Sequence, residues 1–185
     1  KQLEDAIIYT TKKHNIDLIG PNCLGIVNTS SNINLNANFS FKMPHSGNIA
    51  LVSQSGAIGI VAMNYAHQQH LGMSKFASIG NKAVVDECDV LDYLIEDEQT
   101  KIITMYIEDI SNAKRFFELA KKAAQHKKPI IAIKTGISER GAVATQSHTG
   151  ALTSSDIAYD ALFKQCGVIR VATLEELFDC AKGFS

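Results

Sequence analysis

The sequence predicts an α/β protein whose parallel β-sheet is covered by helices on both faces. The first observation is an alternation of short apolar stretches with segments of helical periodicity, which occurs five times from residue 49 onward. The second is that these short stretches are apolar at successive positions, as expected of strands that are buried on both faces. Together they predict a doubly wound, five-stranded, flavodoxin-like domain.

The chain opens with a segment outside this repeat. Residues 2–14 carry apolar side chains at helical spacing, and residues 16–19 are expected to form a short strand. Because one helix and one strand cannot form a domain, we assign residues 1–28 to the C-terminal remnant of an upstream α/β unit. Residues 20–25 are predicted to form a turn. Residues 29–45 are rich in Asn and Ser without a clear period, and are predicted to be a linker.

Residues 46–185 are expected to contain the sheet domain. The predicted strands are residues 49–53, 76–79, 102–107, 129–135 and 168–172. The predicted helices are residues 55–71, 85–96, 112–126 and 155–166, followed by a last helix for which Thr173 and Glu176 form a capping box. A flavodoxin-like topology places these strands in the spatial order 2-1-3-4-5.

Composition excludes several classes of protein. With 45% hydrophobic and 20% charged residues and a net charge of -1, the chain fits an ordinary globular protein without a nucleic-acid or membrane-binding surface. The four cysteines form no C-x-x-C pair, which argues against a zinc site and indicates reduced thiols in the cytoplasm. His67 and His70 lack further metal ligands, so no metal site is predicted. The chain begins without Met inside a helical pattern, so we expect it to be part of a longer protein.

Polar residues follow the ends of four predicted strands. In chain order they are Ser53-Gln54-Ser55-Gly56, Gly80-Asn81, Glu108-Asp109 and, in the long loop of residues 136–155, His148. In open parallel sheets, ligands bind beyond the carboxyl ends of the strands. A functional site is therefore predicted at this edge of the sheet, although a loop histidine can also be a general base, a metal ligand or a surface residue.

Two mechanisms use the residues at this edge. Ser55 and Gly56 begin a helix directly after a strand, so the backbone N–H groups and the helix dipole form an anion site. In the first mechanism His148 accepts a phosphoryl group, Glu108 orients the imidazole, and the helix N-terminus neutralises the phosphate. In the second, Ser55, Glu108 and His148 form a hydrolase triad, although Ser53 stands where G-x-S-x-G requires its first glycine.

Five segments of the sequence resemble one known family. They are Gly20-Pro21-Asn22-Cys23-Leu24-Gly25, Ala50-Leu51-Val52-Ser53-Gln54-Ser55-Gly56-Ala57, Ser78-Ile79-Gly80-Asn81, Tyr106-Ile107-Glu108 and Ser147-His148-Thr149-Gly150-Ala151-Leu152. With these segments in the family's order, the chain resembles the NDP-forming acyl-CoA synthetases, which include succinyl-CoA synthetase. The resemblance is strongest to the ADP-forming acetate–CoA ligase branch and spans nearly the whole chain.

The resemblance implies roles for particular residues. His148 would be the phosphohistidine, and Glu108 would stabilise it. The implied phosphate- and substrate-binding residues are Ser55, Gly56, Ala57, Asn22, Asn81, Thr149 and Gly150. The implied reaction is reversible: acyl-CoA and phosphate give an acyl phosphate, which phosphorylates His148, which in turn phosphorylates ADP. One departure from the family pattern is Thr153-Ser154, where Ala-Gly is common, and it bears on the geometry of the loop.

The resemblance also implies ligands and partners for the complete enzyme. CoA, and ADP or ATP with Mg²⁺, would bind mostly outside this chain, with none bound tightly here. Residues 1–28 would be the end of a CoA-binding Rossmann domain, and an ATP-grasp domain or subunit would bind the nucleotide. The complete enzyme is expected to be oligomeric. An alternative is a non-catalytic acyl-CoA-sensing role in an acetyltransferase fusion, but relatives of that kind lack the histidine, so His148 favours the ligase.

Overall fold

The computed structural model describes residues 2–39, 43–136 and 156–185. In these ranges the strands are β1 (Gly25–Asn28), β2 (Leu35–Asn38), β3 (Ser46–Ser53), β4 (Met73–Ser78), β5 (Ile102–Ile107), β6 (Ile130–Lys134) and β7 (Ile169–Val171). The helices are α1 (Gln2–His14), α2 (Gly56–Gln68), α3 (Glu87–Glu96), α4 (Ala113–Gln125), α5 (Asp156–Cys166) and α6 (Leu174–Phe184). None of these helices is long and apolar enough to cross a membrane.

All seven of these strands belong to one sheet, in the order β2-β1-β4-β3-β5-β6-β7. The run from β4 to β7 is parallel throughout. Its five strands are those predicted from the sequence, and their spatial order is the predicted 2-1-3-4-5. The prediction of a doubly wound α/β domain is therefore confirmed.

Two antiparallel strands extend the sheet beyond the predicted five. Strand β1 pairs with β2 on one side and with β4 on the other. Thr29 strengthens the junction with β4, because its backbone N–H donates to the carbonyl of Ser74 at 3.0 Å and its hydroxyl donates to the carbonyl of Met73 at 2.6 Å. These strands lie in residues that we assigned to an upstream remnant and a linker, and that division of the chain remains a prediction.

The predicted helix at the start of the chain is present as α1, but the strand predicted at residues 16–19 does not form. This segment instead lies along the loop that follows β4. The backbone N–H of Val85 donates to the carbonyl of Leu18 at 3.1 Å, and that of Ala83 donates to the carbonyl of Gly20 at 2.9 Å. The apolar side chains that suggested a strand therefore belong to a segment without regular secondary structure, which forms hydrogen bonds with a loop.

The sheet separates two helical layers. Helices α3, α4 and α5 cover one face, where they pack against Ala50 and Val52 of β3. Helices α2 and α6 cover the other face, against Ile49 and Leu51 of the same strand. Because successive side chains of a strand point to opposite faces, β3 must be apolar at every one of these positions to be buried by both layers.

We predict that the layer formed by α4 and α5 depends on Phe163. This side chain is only 1% exposed, and its ring lies 6.0 Å from that of Phe116. Phe163→Ala should lower the free energy of unfolding by about 3–5 kcal/mol, because it removes buried apolar contacts and leaves a cavity. Urea denaturation measures this loss. Ile157→Ala, at a position of the same helix that is 82% exposed, is the control and should change stability by less than about 0.5 kcal/mol.

Candidate functional site

The register of the parallel strands brings four strand ends to one edge of the sheet. Ser53 pairs with Ser78 of β4 and with Tyr106 of β5, and Ile107 pairs with Lys134 of β6. The residues that directly follow these strands therefore lie side by side. They include the start of α2, the turn after β4 and the segment after β5, which are three of the four places that the sequence analysis singled out.

Helix α2 presents free backbone donors at this edge. Ser55 is its N-cap, with φ −101° and ψ 118°, and its hydroxyl accepts the N–H of Ile58 at 3.3 Å. In the part of the chain that the structure describes, the N–H groups of Gly56 and Ala57 have no hydrogen-bond partner. Unpaired N–H groups and the positive end of a helix dipole favour a bound anion.

These donors open into a cavity of about 400 Å³. The cavity brings together four of the predicted binding residues, Asn22, Ser55, Gly56 and Ala57. The rest of its lining consists of Cys23, Leu24, Phe39, Gln54 and Ile60. It therefore combines a polar end, at the helix N-terminus, with an apolar wall.

The turn of residues 20–25 completes one side of the cavity because it packs closely on the turn after β4. The backbone N–H of Leu24 donates to the hydroxyl of Ser78 at 3.0 Å. Gly80 has φ +53°, and a Cβ on it would lie 2.3 Å from the carbonyl oxygen of Pro21, so no side chain fits there. The Asn22 amide donates to the side-chain oxygen of Asn81 at 3.3 Å. Asn81 therefore stands behind Asn22 and is not part of the cavity lining.

Glu108 is half-buried and follows β5 at the same edge. Gln54, which lies between β3 and the N-cap of α2, holds its backbone. The Gln54 side-chain oxygen accepts the N–H of Glu108 at 2.6 Å and that of Asp109 at 3.0 Å. No described residue forms an ion pair with the Glu108 carboxylate, which leaves this carboxylate available to another group.

A buried ion network fixes the turn after β4 to the segment after β5. The ammonium group of Lys82 lies 3.1 Å from the carboxylate of Glu87, which is 0% exposed, and 2.9 Å from that of Asp109. Burial of Lys82 opposes its charged form, but the negative charges of Glu87 and Asp109 outweigh this effect and raise its pKa. Lys82 is therefore a structural cation, whose charge is already balanced by two carboxylates.

Lys134 ends β6 and is only 4% exposed. Its ammonium group lies 4.4 Å from the centre of the Tyr159 ring and donates to the carbonyl of Thr135. Burial lowers its pKa, and the carboxylates of Asp156 and Asp109 only partly oppose that effect. The Tyr159 hydroxyl accepts the N–H of Ile110 at 3.2 Å, in the segment after β5. Because Lys134 is buried against this tyrosine, its ammonium group is part of the packing at this edge of the sheet.

One group of side chains in the described ranges has the spacing of metal ligands, namely Asp86, Glu87 and Cys88, whose ligand atoms lie within 4.8 Å of one another. Each has a structural role. Asp86 caps α3, and Glu87 pairs with Lys82. Burial raises the pKa of the Cys88 thiol to about 12, which disfavours the thiolate that would bind a metal.

The predicted residues His148, Thr149 and Gly150 lie outside the described residues. Conversely, Gln54 and Lys82 had no predicted role, although both lie beside predicted site residues in the sequence. The sequence signal that could have identified Gln54 is its position between a buried strand and a helix N-cap, where a buried polar side chain requires hydrogen-bond partners. The pairing of Lys82 with Glu87 and Asp109 had no signal in the sequence, because it joins two separate loops.

Comparison with known proteins identifies the family. Residues 46–184 match the family described as succinyl-CoA ligase like flavodoxin domain. The chain is 48% identical over 183 residues to 4-hydroxybutyrate–CoA ligase [ADP-forming] of Nitrosopumilus maritimus. It is also 48% identical over 184 residues to acetate–CoA ligase [ADP-forming] of Methanocaldococcus jannaschii. These alignments cover 98% and 100% of this chain.

A solved structure shares the whole fold. It is dinucleotide forming acetyl-coenzyme A synthetase 1 of Ca. Korarchaeum cryptofilum in complex with phosphate and ADP, with a TM-score of 0.93 and 36% identity over 100% of this chain. The chain spans 40% of that protein and 26% of each of the two ligases. The chain belongs to the family of ADP-forming acetate and acyl-CoA ligases, and most of it is a succinyl-CoA ligase-like flavodoxin domain.

Proposed function

We propose that this chain is the phosphohistidine-carrying part of an ADP-forming acyl-CoA synthetase. The complete enzyme would convert acyl-CoA, phosphate and ADP into the carboxylic acid, CoA and ATP. The observation that carries the proposal is the pair of unpaired N–H groups of Gly56 and Ala57, which face a cavity at the carboxyl edge of the sheet. Glu108 follows β5 at the same edge. Strand β6, from which residues 137–155 and therefore His148 continue, ends at the same edge.

The proposed reaction has three steps. First, a phosphate oxygen attacks the thioester carbonyl of acyl-CoA, the carbon–sulfur bond breaks, and CoA leaves as a thiolate. Next, a ring nitrogen of His148 attacks the phosphorus of the acyl phosphate, and the carboxylic acid leaves as its carboxylate. Finally, an oxygen of the ADP β-phosphate attacks the phosphorus of phosphohistidine, the phosphorus–nitrogen bond breaks, and ATP forms.

During these steps, backbone N–H groups of this chain would stabilise the negative charge of the phosphate, and Glu108 would stabilise the positive charge of the phosphorylated histidine. The Gly56 and Ala57 N–H groups would donate to the phosphate, whose charge the helix dipole also favours. Glu108 would accept a hydrogen bond from the second ring nitrogen of His148, which orients the ring and stabilises its cationic phosphorylated form. Asn22 lines the same cavity and would donate to phosphate or to the acyl group, with Asn81 holding its amide. We assign Thr149 and Gly150, next to His148 in the sequence, to phosphate binding as well.

We place the sites for CoA and for the Mg²⁺ nucleotide largely on other parts of the complete enzyme. This chain spans 26% of the two ligases, which leaves most of such an enzyme outside it. The structurally similar Korarchaeum synthetase contains phosphate and ADP, which are two of the proposed substrates. An ATP-grasp domain or subunit would carry the nucleotide to His148, in an oligomeric cytoplasmic enzyme.

The conformation of Ser55 weighs against the hydrolase alternative. Its φ and ψ lie in the ordinary β region, and its hydroxyl caps α2. The nucleophile of an α/β-hydrolase instead occupies a strained turn that exposes its hydroxyl. The alternative of a non-catalytic acyl-CoA sensor differs in one measurable respect, because a sensor needs no phosphorylated histidine.

The first test is labelling of the complete enzyme with ATP that carries radioactive phosphorus in the γ position. We expect a label that is labile in acid and stable in base, as a phosphoramidate is, and that His148→Asn abolishes. Ser55→Ala should keep the label, because the donors proposed for phosphate are backbone N–H groups and the Ser55 hydroxyl accepts the N–H of Ile58 at the start of α2. An acid-stable label, or one that survives His148→Asn, contradicts the proposal.

The second test concerns Glu108. Glu108→Gln should slow the labelling of His148 roughly 10- to 100-fold, because the neutral amide stabilises the cationic ring less than a carboxylate does. Rapid-quench measurement of the labelling rate checks this. Asp92→Asn, at a half-buried carboxylate of α3 that pairs with Lys122, is the control and should leave the rate unchanged. A wild-type rate in Glu108→Gln would remove Glu108 from the mechanism.

The third test removes one proposed phosphate donor. Gly56→Pro deletes a single N–H at the first position of α2, where proline is well tolerated and where the β conformation of Ser55 suits a following proline. The KM for phosphate should rise roughly 10-fold or more, since a hydrogen bond to a charged group contributes about 1.5–3 kcal/mol. Gly56→Ala keeps the N–H, and its Cβ would lie at an ordinary 3.5 Å from Leu24, so its KM should stay near that of the wild type. Equal effects of both variants would refute the donor role.

A further inference from the structure

The side chain of Gln54 forms hydrogen bonds with the backbone of the segment that carries Glu108. Its oxygen accepts the N–H groups of Glu108 and Asp109, and its amide nitrogen donates to the carbonyl of Asp109 at 2.6 Å. Its own backbone N–H donates to the carbonyl of Tyr106 at 3.1 Å. Gln54 is 8% exposed, so these bonds form away from bulk water, where each one constrains its partners more strongly.

Gln54 also stands next to the proposed phosphate site. It directly precedes Ser55, the N-cap of α2, and the hydroxyl of Ser53 donates to the carbonyl of Ser55 at 2.7 Å. The backbone on both sides of Gln54 is therefore fixed to the start of the helix. Through its side chain, the same residue fixes the backbone of Glu108.

We propose that Gln54 is a positioning residue for phosphoryl transfer, which sets the place of the Glu108 carboxylate relative to the phosphate held at the N-terminus of α2. This inference rests on the proposed function of the chain. Phosphoryl transfer to an imidazole requires the phosphorus in line with the ring nitrogen, and Glu108 is the group proposed to orient that ring. A small shift of Glu108 against α2 therefore changes the rate of transfer without removing any group that binds substrate.

A second set of contacts to Asp109 allows the proposed positioning role of Gln54 to be tested without loss of the fold. Lys82 donates to the Asp109 carboxylate at 2.9 Å and to its carbonyl at 3.3 Å. Loss of the Gln54 amide would therefore leave the segment after β5 attached to the protein but less precisely placed. We expect a Gln54 variant to fold and to place Glu108 over a wider range of positions.

The chain contains a matched control at the opposite edge of the sheet. The amide of Gln99 also links separate segments, because its nitrogen donates to the Thr29 hydroxyl, the Ser46 hydroxyl and the Gly47 carbonyl at 3.1–3.2 Å. Its oxygen accepts from Ser30 and Lys75. Gln99 lies before β5 and Gln54 faces the end of β5, so the two variants remove similar linkages at opposite ends of one strand.

The experiment compares Gln54→Leu and Gln99→Leu in the complete enzyme, by rapid-quench labelling from ATP. Gln54→Leu should lower the rate of His148 labelling roughly 10- to 100-fold, with full final labelling and an unchanged Kd for ATP. Gln99→Leu should keep the wild-type rate. A role confined to folding would instead reduce the amount of labelled enzyme at an unchanged rate. Gln54→Asn, whose shorter amide cannot span the same atoms, replaces Gln54→Leu if that variant does not fold.

A double-mutant cycle tests whether Gln54 acts through Glu108. In an enzyme that already carries Glu108→Gln, Gln54→Leu should slow labelling by no more than about 2-fold, because residues that act as one unit are not additive. Multiplicative losses in the double variant would overturn the inference. So would a wild-type rate in Gln54→Leu, or an equal loss in Gln99→Leu.

The outcomes separate this inference from the proposed function. Label that persists in His148→Asn refutes the proposed function, whatever Gln54 does. Label that resides on His148 and is slowed by Glu108→Gln, but is unaffected by Gln54→Leu, refutes only the positioning role.

Discussion

The burial of the central strands on both faces is the constraint on which the rest of this structure depends. Helices cover β3 and β5 from both sides, so the middle of each strand is apolar except for Thr104 of β5, whose hydroxyl donates to the carbonyl of Ala50 at 2.8 Å. Polar groups are therefore confined to the ends of the strands. The parallel register then places several such ends together, which is why binding chemistry concentrates at one edge.

Some charged side chains at this edge are already paired or buried within the protein, and others are free to interact with a ligand. Lys82 is neutralised by Glu87 and Asp109, and Lys134 is buried against Tyr159. Attraction of an anion is therefore left mainly to the backbone donors of α2, which carry partial charge and do not titrate. In the described part of the chain, the Glu108 carboxylate forms no ion pair, and this agrees with a role toward a group such as an imidazolium.

The hairpin of β1 and β2 connects the start of the chain to the site. It extends the sheet past β4 and so carries the turn of residues 20–25 to the edge where α2 begins. Two glycines permit this approach. A Cβ on Gly25 would lie 2.1 Å from the carbonyl oxygen of Ala37, and Gly80 packs equally closely under Pro21. These contacts, together with the hydrogen bond of Leu24 to Ser78, hold Asn22 at the cavity.

The sequence by itself determined the repeating α/β pattern, the order of the five parallel strands and the strand ends at which we propose the site, because a strand that is buried on both faces must be a continuous apolar run. It also supplied the family, through the segments around Asn22, Ser55, Asn81, Glu108 and His148. The hairpin was not predictable, because edge strands such as Leu35–Asn38 are exposed and lack an apolar run. Only the tertiary structure showed that Gln54 forms a hydrogen bond with the backbone of Glu108 and that Lys82 joins two loops. Hydrogen bonds and ion pairs between segments that are distant in sequence produce no periodic pattern in the sequence of either segment.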